Sequence, residues 1–198
     1  MSKRAGAVSA ETKQQLLTAA REEFAARGFQ GSSLRRICAA AGVTTGALYF
    51  FFQGKDDLFA AVLAQVTEPL TRLVEEHYRA ERSSSRRDSS QGAEADFQAV
   101  KQILDLYFRS RETWDILLAH QSHPAVRDFL EKVNRVSTEQ YLALLGDADP
   151  FAVRQFVHMQ TDAMLTLLEQ DFTPQEMLGH ADTVVKMLRG AFRALLSQ

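Results

Sequence analysis

Residues 16–63 read LLTAAREEFAARGFQGSSLRRICAAAGVTTGALYFFFQGKDDLFAAVL. Glycine residues break this stretch into four segments, and within each segment apolar residues recur at the three- and four-residue spacing of a helix. The second and third segments, Leu34–Ala41 and Thr45–Phe52, are about two turns long and flank a tight turn that contains Gly42. Two short helices joined in this way form a helix-turn-helix.

Helical periodicity continues on both sides of this motif. A first helix is predicted over about residues 10–27, and a fourth over about residues 55–82 with a kink at Pro69. The polar segment Ser83–Gly92 is predicted to be a loop, and five further helical segments follow it. Because no segment alternates as a strand does, the sequence predicts an all-α protein of about nine helices.

The composition is that of an ordinary soluble globular chain. Of the 198 residues, 45% are hydrophobic and 24% are charged, and no apolar run approaches the roughly 18 residues of a membrane span. Residues 1–10 lack the apolar core of a signal peptide. The single cysteine, Cys38, excludes an internal disulfide and is expected to be a buried apolar filler. We therefore expect a cytoplasmic protein without membrane contact.

Charge is distributed unevenly along the chain. Residues 1–55 carry eight basic and three acidic side chains, a net charge of +5, while the remainder carries 15 basic and 22 acidic ones, a net charge of −7. A basic N-terminal segment followed by an acidic remainder is typical of a DNA-binding domain joined to a second domain. A segment as short as this one can also show such a charge asymmetry by chance. The sequence therefore predicts two domains, a helix-turn-helix domain in residues 1–55 and a second helical domain in residues 56–198.

The helix-turn-helix suggests how DNA would be contacted. The second helix of such a pair enters the major groove and its N-terminal residues meet base edges. Thr44 and Thr45 supply hydroxyl groups at that end, and Gly46 leaves the start of the helix bare, so that the backbone can come close to DNA. Many helical hairpins do not bind DNA, so the motif alone is a moderate signal.

Residues 12–63 resemble the DNA-binding domain of the TetR/AcrR (tetracycline-repressor) family. The first helix carries A-x-x-x-F-x-x-x-G-F, and a serine pair and I-x-x-A-A-G-V follow it. The recognition segment then carries G-x-L-Y-x-x-F, and a lysine opens the fourth helix. The spacing agrees throughout this quarter of the chain, whereas beyond Gln65 the resemblance rests on the pattern of helices alone.

The resemblance implies roles for individual residues. Those implied to bind phosphates are Ser33, Thr44, Tyr49 and Lys55. Two arginines, Arg35 and Arg36, are implied to lie on the positioning helix, and Arg35 matches a position that reads a base in some members. The residues implied to face base edges are Thr45, Gly46 and Phe50. The alternative for the arginines is a solvated face, and the alternative for Tyr49 is a core aromatic.

One pair of residues departs from the family pattern. After Tyr49 many members carry a His, Tyr or Trp and then a His, where this chain has Phe50 and Phe51. Phe51 cannot donate a hydrogen bond to a phosphate, so one usual anchor is missing and the salt dependence of binding should fall by about one unit. Phe50 could instead pack on a thymine methyl group or a sugar.

A helix-turn-helix with few contacts needs a dimer, so we expect a homodimer on a palindromic operator with half-sites about 34–36 Å apart. The last two helices are the expected dimer surface, where two such pairs would form a four-helix bundle. Their apolar residues are Phe156, Met164, Leu168, Met177, Val184, Met187, Leu188, Ala191 and Leu195. The alternative is that these side chains pack within one subunit.

The resemblance also implies a pocket for a small-molecule effector in the second domain. The candidate lining residues are Tyr107, Phe108, Trp114, His120, Met159 and Asp162. Aromatic, sulfur and isolated polar groups suit an apolar pocket, although each residue alone is more often core or surface. We expect no cofactor, no metal site and no enzymatic activity, since the sequence contains no H-E-x-x-H, glycine-rich phosphate loop or nucleophile elbow.

Three functions follow from this sequence. The first is a repressor that a small apolar ligand releases from its operator. The second is a DNA-binding regulator that has no small-molecule inducer. Its DNA binding is controlled either by a protein partner or not at all. The third is an enzyme or interaction module whose helix-turn-helix has lost DNA binding.

Overall fold

A computed structural model describes residues 2–82 and 90–196 of the chain. Within these ranges all regular structure is helical, which confirms the predicted all-α class and the predicted number of helices. The helices are α1 (Ser2–Gly31), α2 (Leu34–Ala40), α3 (Thr45–Phe51), α4 (Lys55–Arg82), α5 (Ser90–Arg109), α6 (Arg111–Ala119), α7 (Pro124–Leu145), α8 (Pro150–Leu168) and α9 (Pro174–Leu196).

Helix α1 breaks where the sequence predicts a stop. Gly28 has φ 64° and ψ 173°, and a side chain at that φ would be strained. The helix begins at Ser2 rather than near Ala10, since no proline interrupts residues 2–9.

The loop predicted at Ser83–Gly92 is too long. Helix α5 already begins at Ser90, a residue type that favours a helix start, so the last residues of the predicted loop are helical. Residues 83–89 lie outside the described ranges. Helix α4 continues through Pro69 to Arg82, as the periodicity predicts.

The chain forms two compact units, Met1–Thr67 with Ser110–Arg127 and Glu68–Arg109 with Asp128–Gln198. The predicted boundary after residue 55 is a functional division and stays a prediction. The boundary between the two compact units falls later in α4, between Thr67 and Glu68. The reason is that its first turns carry Phe59, whose ring packs edge-on against those of Phe24 and Phe29 at centroid distances of 5.1 and 5.0 Å.

The first unit buries one face of each of its helices. Helix α1 packs against α2, α3 and α6, and α2 packs against α3. Its largest fully buried side chains are Leu16, Phe24, Ile37, Leu48, Leu58, Phe59, Leu63, Trp114 and Leu117. Cys38 is buried as expected, and burial raises the pKa of its thiol.

The second unit has its own aromatic core. Tyr141 makes ring contacts with Tyr78, Phe156 and Phe192, at centroid distances between 5.1 and 5.6 Å. Helix α9 packs against α5 and α8. None of the helices in the described ranges is long and apolar enough to cross a membrane.

Candidate nucleic-acid interface

The turn between α2 and α3 has the geometry of a helix-turn-helix. Gly42 adopts φ +67°, a left-handed conformation that glycine enters without strain. Two backbone hydrogen bonds close the turn, from the Gly42 N–H to the Ala39 carbonyl and from the Val43 N–H to the Cys38 carbonyl, over 3.2 and 3.0 Å. The turn therefore ends α2 and directs the chain into α3.

Thr44 caps the start of α3. Its Oγ1 accepts a hydrogen bond from the Ala47 N–H over 3.2 Å. The hydroxyl proton is not used in this bond, so the same side chain can still donate to a group outside the protein. Thr44 is exposed, which is compatible with the phosphate contact predicted for it.

The two predicted arginines of α2 have different surroundings. Arg36 donates from Nε to Oε1 of Glu23 over 2.7 Å and from Nη2 to the Gly31 carbonyl over 2.6 Å. Glu23 also accepts the Ser33 N–H over 3.0 Å. Arg36 therefore holds α2 against the end of α1, whereas Arg35 is exposed and makes no ion pair within the described ranges.

Glu23 is the acceptor that organises this junction. The hydrogen bond from Arg36 lowers the pKa of its carboxyl below the ordinary 4.5, and the Ser33 N–H and the charges of Arg36 and Arg27 act in the same direction while burial opposes them. Glu23 is not among the residues predicted for the site. Glu23 directly follows Glu22 and lies thirteen residues before Arg36, so the sequence carries no local signal of this contact.

Helix α3 presents two exposed aromatic side chains. Leu48 and Phe52 are buried, whereas Tyr49 is 60% exposed and Phe50 is 79% exposed. Thr45 and Gly46 are exposed one turn earlier, on the same side as this pair by helical spacing. The predicted base-facing residues therefore share one surface, and Tyr49 is not the core aromatic of the alternative interpretation.

The segment that contains this surface is similar in sequence to known proteins. Residues 16–62 match the family model for bacterial regulatory proteins of the tetR family. The transcriptional regulator SrpR of Pseudomonas putida is 41% identical over 70 residues, which are 35% of this chain and 33% of that protein. The transcriptional repressor BepR of Brucella suis biovar 1 is 40% identical over 72 residues, 36% of this chain and 34% of that protein.

The chain resembles the tetR family of bacterial regulatory proteins. It spans only about a third of the length of those two relatives. Over most of its length the fold is similar to that of the multidrug-binding protein EbrR, solved with malachite green. The TM-score is 0.62 at 22% identity, with 89% of this chain and 96% of EbrR covered, which is a likeness of fold.

Lys55 of the tetR-like segment lies close to the break in α1. Its Nζ donates to the Phe29 carbonyl over 2.8 Å and lies 4.5 Å from the centroid of the Phe29 ring. The ammonium group thus holds the start of α4 against the end of α1. Its phosphate contact stays a prediction.

Two histidines in the turn between α6 and α7 contact the same end of α1. The Phe29 N–H donates to Nε2 of His120 over 3.0 Å, and Nδ1 of His120 lies 2.7 Å from the Ile116 carbonyl. The ring of His123 lies 4.4 Å from those of both Phe29 and Phe59. Of these two histidines, His120 was predicted to line the ligand pocket.

The six predicted pocket residues are divided between the two compact units. Trp114 and His120 belong to the first unit, and the other four to the second. Tyr107 is buried and donates its hydroxyl proton to the Leu168 carbonyl over 3.1 Å, whereas Met159 and Asp162 are exposed. Phe108 is half-buried beside Tyr107, with ring centroids 5.1 Å apart. Their role as a pocket stays a prediction.

The second unit contains a groove of about 330 Å³ between α4 and α5. Its lining residues are Pro69, Arg72, Leu73, Glu76, Gln102, Asp105, Leu106 and Arg109. Four of these side chains are charged, so the groove suits a ligand with polar or charged groups better than a wholly apolar one. No cluster of three or more metal-binding side chains occurs in the part of the chain that the structure describes.

Proposed function

We propose that this chain binds operator DNA as a homodimer and represses transcription until a small-molecule effector releases it. The observation that carries the proposal is the exposed face of α3, formed by Thr45, Gly46, Tyr49 and Phe50, within a segment that matches the tetR family. BepR, which matches this chain in that segment, is named as a transcriptional repressor.

In this proposal α3 enters the major groove and flanking groups hold the backbone. The phenol of Tyr49 and the hydroxyl protons of Ser33 and Thr44 donate to phosphate oxygens. Arg35 is the exposed cation of α2, and its guanidinium can bind guanine with two hydrogen bonds or contact a phosphate. Arg36 acts indirectly, because its donors are engaged by Glu23 and Gly31.

Dimerisation through α8 and α9 is supported by apolar side chains that are exposed to solvent in the single subunit. Phe151 on α8 is 61% exposed and Met187 on α9 is 70% exposed. The two helices pack against each other, and an exposed apolar patch that continued across both would be typical of an interface between subunits. Three residues expected at the interface, Phe156, Leu168 and Met177, are buried within the subunit and belong to its own core.

An effector site in the second unit is supported by one relative and one feature of this chain. The fold resembles that of EbrR, a multidrug-binding protein solved with malachite green. The groove between α4 and α5 offers charged and apolar groups from both helices. Binding there would release DNA if the effector prefers the conformation that does not fit the operator.

Selection of binding sites from random duplex DNA tests the DNA-binding function. We expect the purified chain to enrich an inverted repeat with half-sites about one helical turn apart. Thr45→Glu should abolish binding, because it places a negative charge at the DNA face while the helix dipole still accommodates an acid at that position. The control Gln15→Glu, exposed on α1, should bind normally. Failure of the wild type to enrich any sequence would overturn the proposal.

The dimer is tested by Met187→Glu. We expect sedimentation to show a monomer and operator affinity to fall with it, since a charge in an apolar interface is left unpaired. Lys132→Glu, a charge change at an exposed position of α7, should remain a dimer. A dimeric Met187→Glu variant would place the interface elsewhere.

A further inference from the structure

The last turn of α3 presents an aromatic ring at the protein surface. Phe50 is more exposed than any other large hydrophobic residue in the described part of the chain. Its side chain has no hydrogen-bonding atom, so it cannot anchor a phosphate or read a donor or acceptor on a base edge. An apolar group of this size on the DNA-facing surface therefore needs an apolar partner on the DNA.

The ring of Phe50 is held in place by its neighbours. It stands at 89° to the ring of Phe51, with centroids 5.0 Å apart, a favourable edge-to-face arrangement. Phe51 is half-buried, and its ring lies 6.3 Å from that of the buried Phe52. The three rings thus connect the core to the surface, which limits the entropy that Phe50 would lose on binding.

Gly46 leaves space beside this ring. Side chains on a helix lean toward its N-terminus, so Phe50 leans over the turn in which Gly46 replaces a side chain. A Cβ at Gly46 would meet only Thr44 Oγ1, at an ordinary 3.7 Å, and the residue has no positive φ. Packing within the protein therefore does not require glycine here, although glycine costs helix stability.

The major groove offers one apolar group on its base edges, the C5 methyl of thymine. We propose that Phe50 reads a thymine methyl group in each operator half-site, with Phe51 as the residue that positions its ring and with Gly46 leaving room for the base. This inference rests on the proposed DNA-binding function and specifies the base that the site prefers.

Deoxyuridine substitution tests the inference, because it removes the methyl group and keeps every hydrogen bond of the base pair. An operator obtained by binding-site selection is synthesised with each thymine replaced in turn. For one thymine per half-site we expect wild-type affinity to fall about fourfold per lost methyl, the effect of one buried methyl-sized group.

Two variants assign the effect to the named residues. Phe50→Ala should bind thymine and deoxyuridine operators equally, and it should fold normally because the ring is exposed. Phe51→Ala should reduce the ratio between the two affinities, and Phe51→Leu should partly restore it, a readout that loss of fold alone would not change.

Several outcomes overturn the inference. Equal wild-type affinity for thymine and deoxyuridine operators shows that no methyl group is read. A thymine preference that persists in Phe50→Ala assigns the contact to another residue. If the wild type binds no duplex at all, the DNA-binding function itself fails, which is distinguishable from either of these results.

Discussion

Phe29 and His120 lie 91 residues apart in the chain, and the backbone N–H of Phe29 donates a 3.0 Å hydrogen bond to Nε2 of His120. Nδ1 of His120 lies 2.7 Å from the Ile116 carbonyl, which places the ring proton on Nδ1 and leaves Nε2 free to accept. The end of α6 is therefore joined to the same corner of α1 that Lys55 holds at the start of α4.

Removing this acceptor should destabilise the protein. His120→Leu leaves the Phe29 N–H unpaired in a partly buried position, and we expect the free energy of unfolding to fall by about 1–3 kcal/mol. Urea denaturation followed by circular dichroism measures this. Ser122→Ala, an exposed change in the same turn, is the control. Equal stability of wild type and His120→Leu would show that water replaces the imidazole at no cost.

His123 should make stability depend on pH. Burial lowers the pKa of its imidazole below the ordinary 6.5, despite the nearby carboxylate of Asp56. The unfolded chain therefore takes up a proton near pH 6.5 that the folded chain resists, so stability is lost as the pH falls below that value. Between pH 7.5 and 5.5 the wild type should lose more unfolding free energy than His123→Gln.

Urea denaturation at the two pH values checks this expectation. His180→Gln, which removes an exposed histidine from α9, is the matched control and should follow the wild type. Glu23 does not interfere in this window, because the pKa of its carboxyl lies below 4.5. Parallel losses in wild type and His123→Gln would contradict the prediction.

The elements of the helix-turn-helix could be predicted because their signals are local. The predicted helices Leu34–Ala41 and Thr45–Phe52 each differ by one residue from α2 and α3. The contact between Phe29 and His120 could not be predicted in this way, since nothing near either residue indicates a partner so distant in sequence. The different roles of Arg35 and Arg36 could not be predicted either. They differ because the packing of α1 on α2 brings Glu23 within hydrogen-bonding distance of Arg36.

Arg35 and Arg36 should therefore give opposite phenotypes. Arg35→Ala should weaken operator binding without changing stability, and if the guanidinium contacts a phosphate the salt slope should fall by about one. Arg36→Ala should lower the unfolding free energy by about 1–3 kcal/mol, since it removes two hydrogen bonds, one to a carboxylate. Fluorescence anisotropy at several salt concentrations and urea denaturation measure the two effects. Loss of stability in Arg35→Ala would reverse the assignment.

Gly42 and Gly46, four residues apart, should respond in opposite ways to alanine. No atom lies within 4 Å of a Cβ built on Gly42, so its φ of +67° is the sole obstacle, and Gly42→Ala should cost about 1–2 kcal/mol of unfolding free energy. Gly46 lies in α3 without a positive φ, so Gly46→Ala should stabilise the fold by up to about 1 kcal/mol.

The same pair separates stability from DNA recognition. If Gly46 leaves room for a base beside Phe50, the more stable Gly46→Ala variant should bind the operator more weakly than the wild type. Thermal denaturation and anisotropy on one preparation measure both quantities. Improved stability together with unchanged affinity would show that glycine at this position does not serve the approach of DNA, because the added methyl group would then meet nothing in the complex.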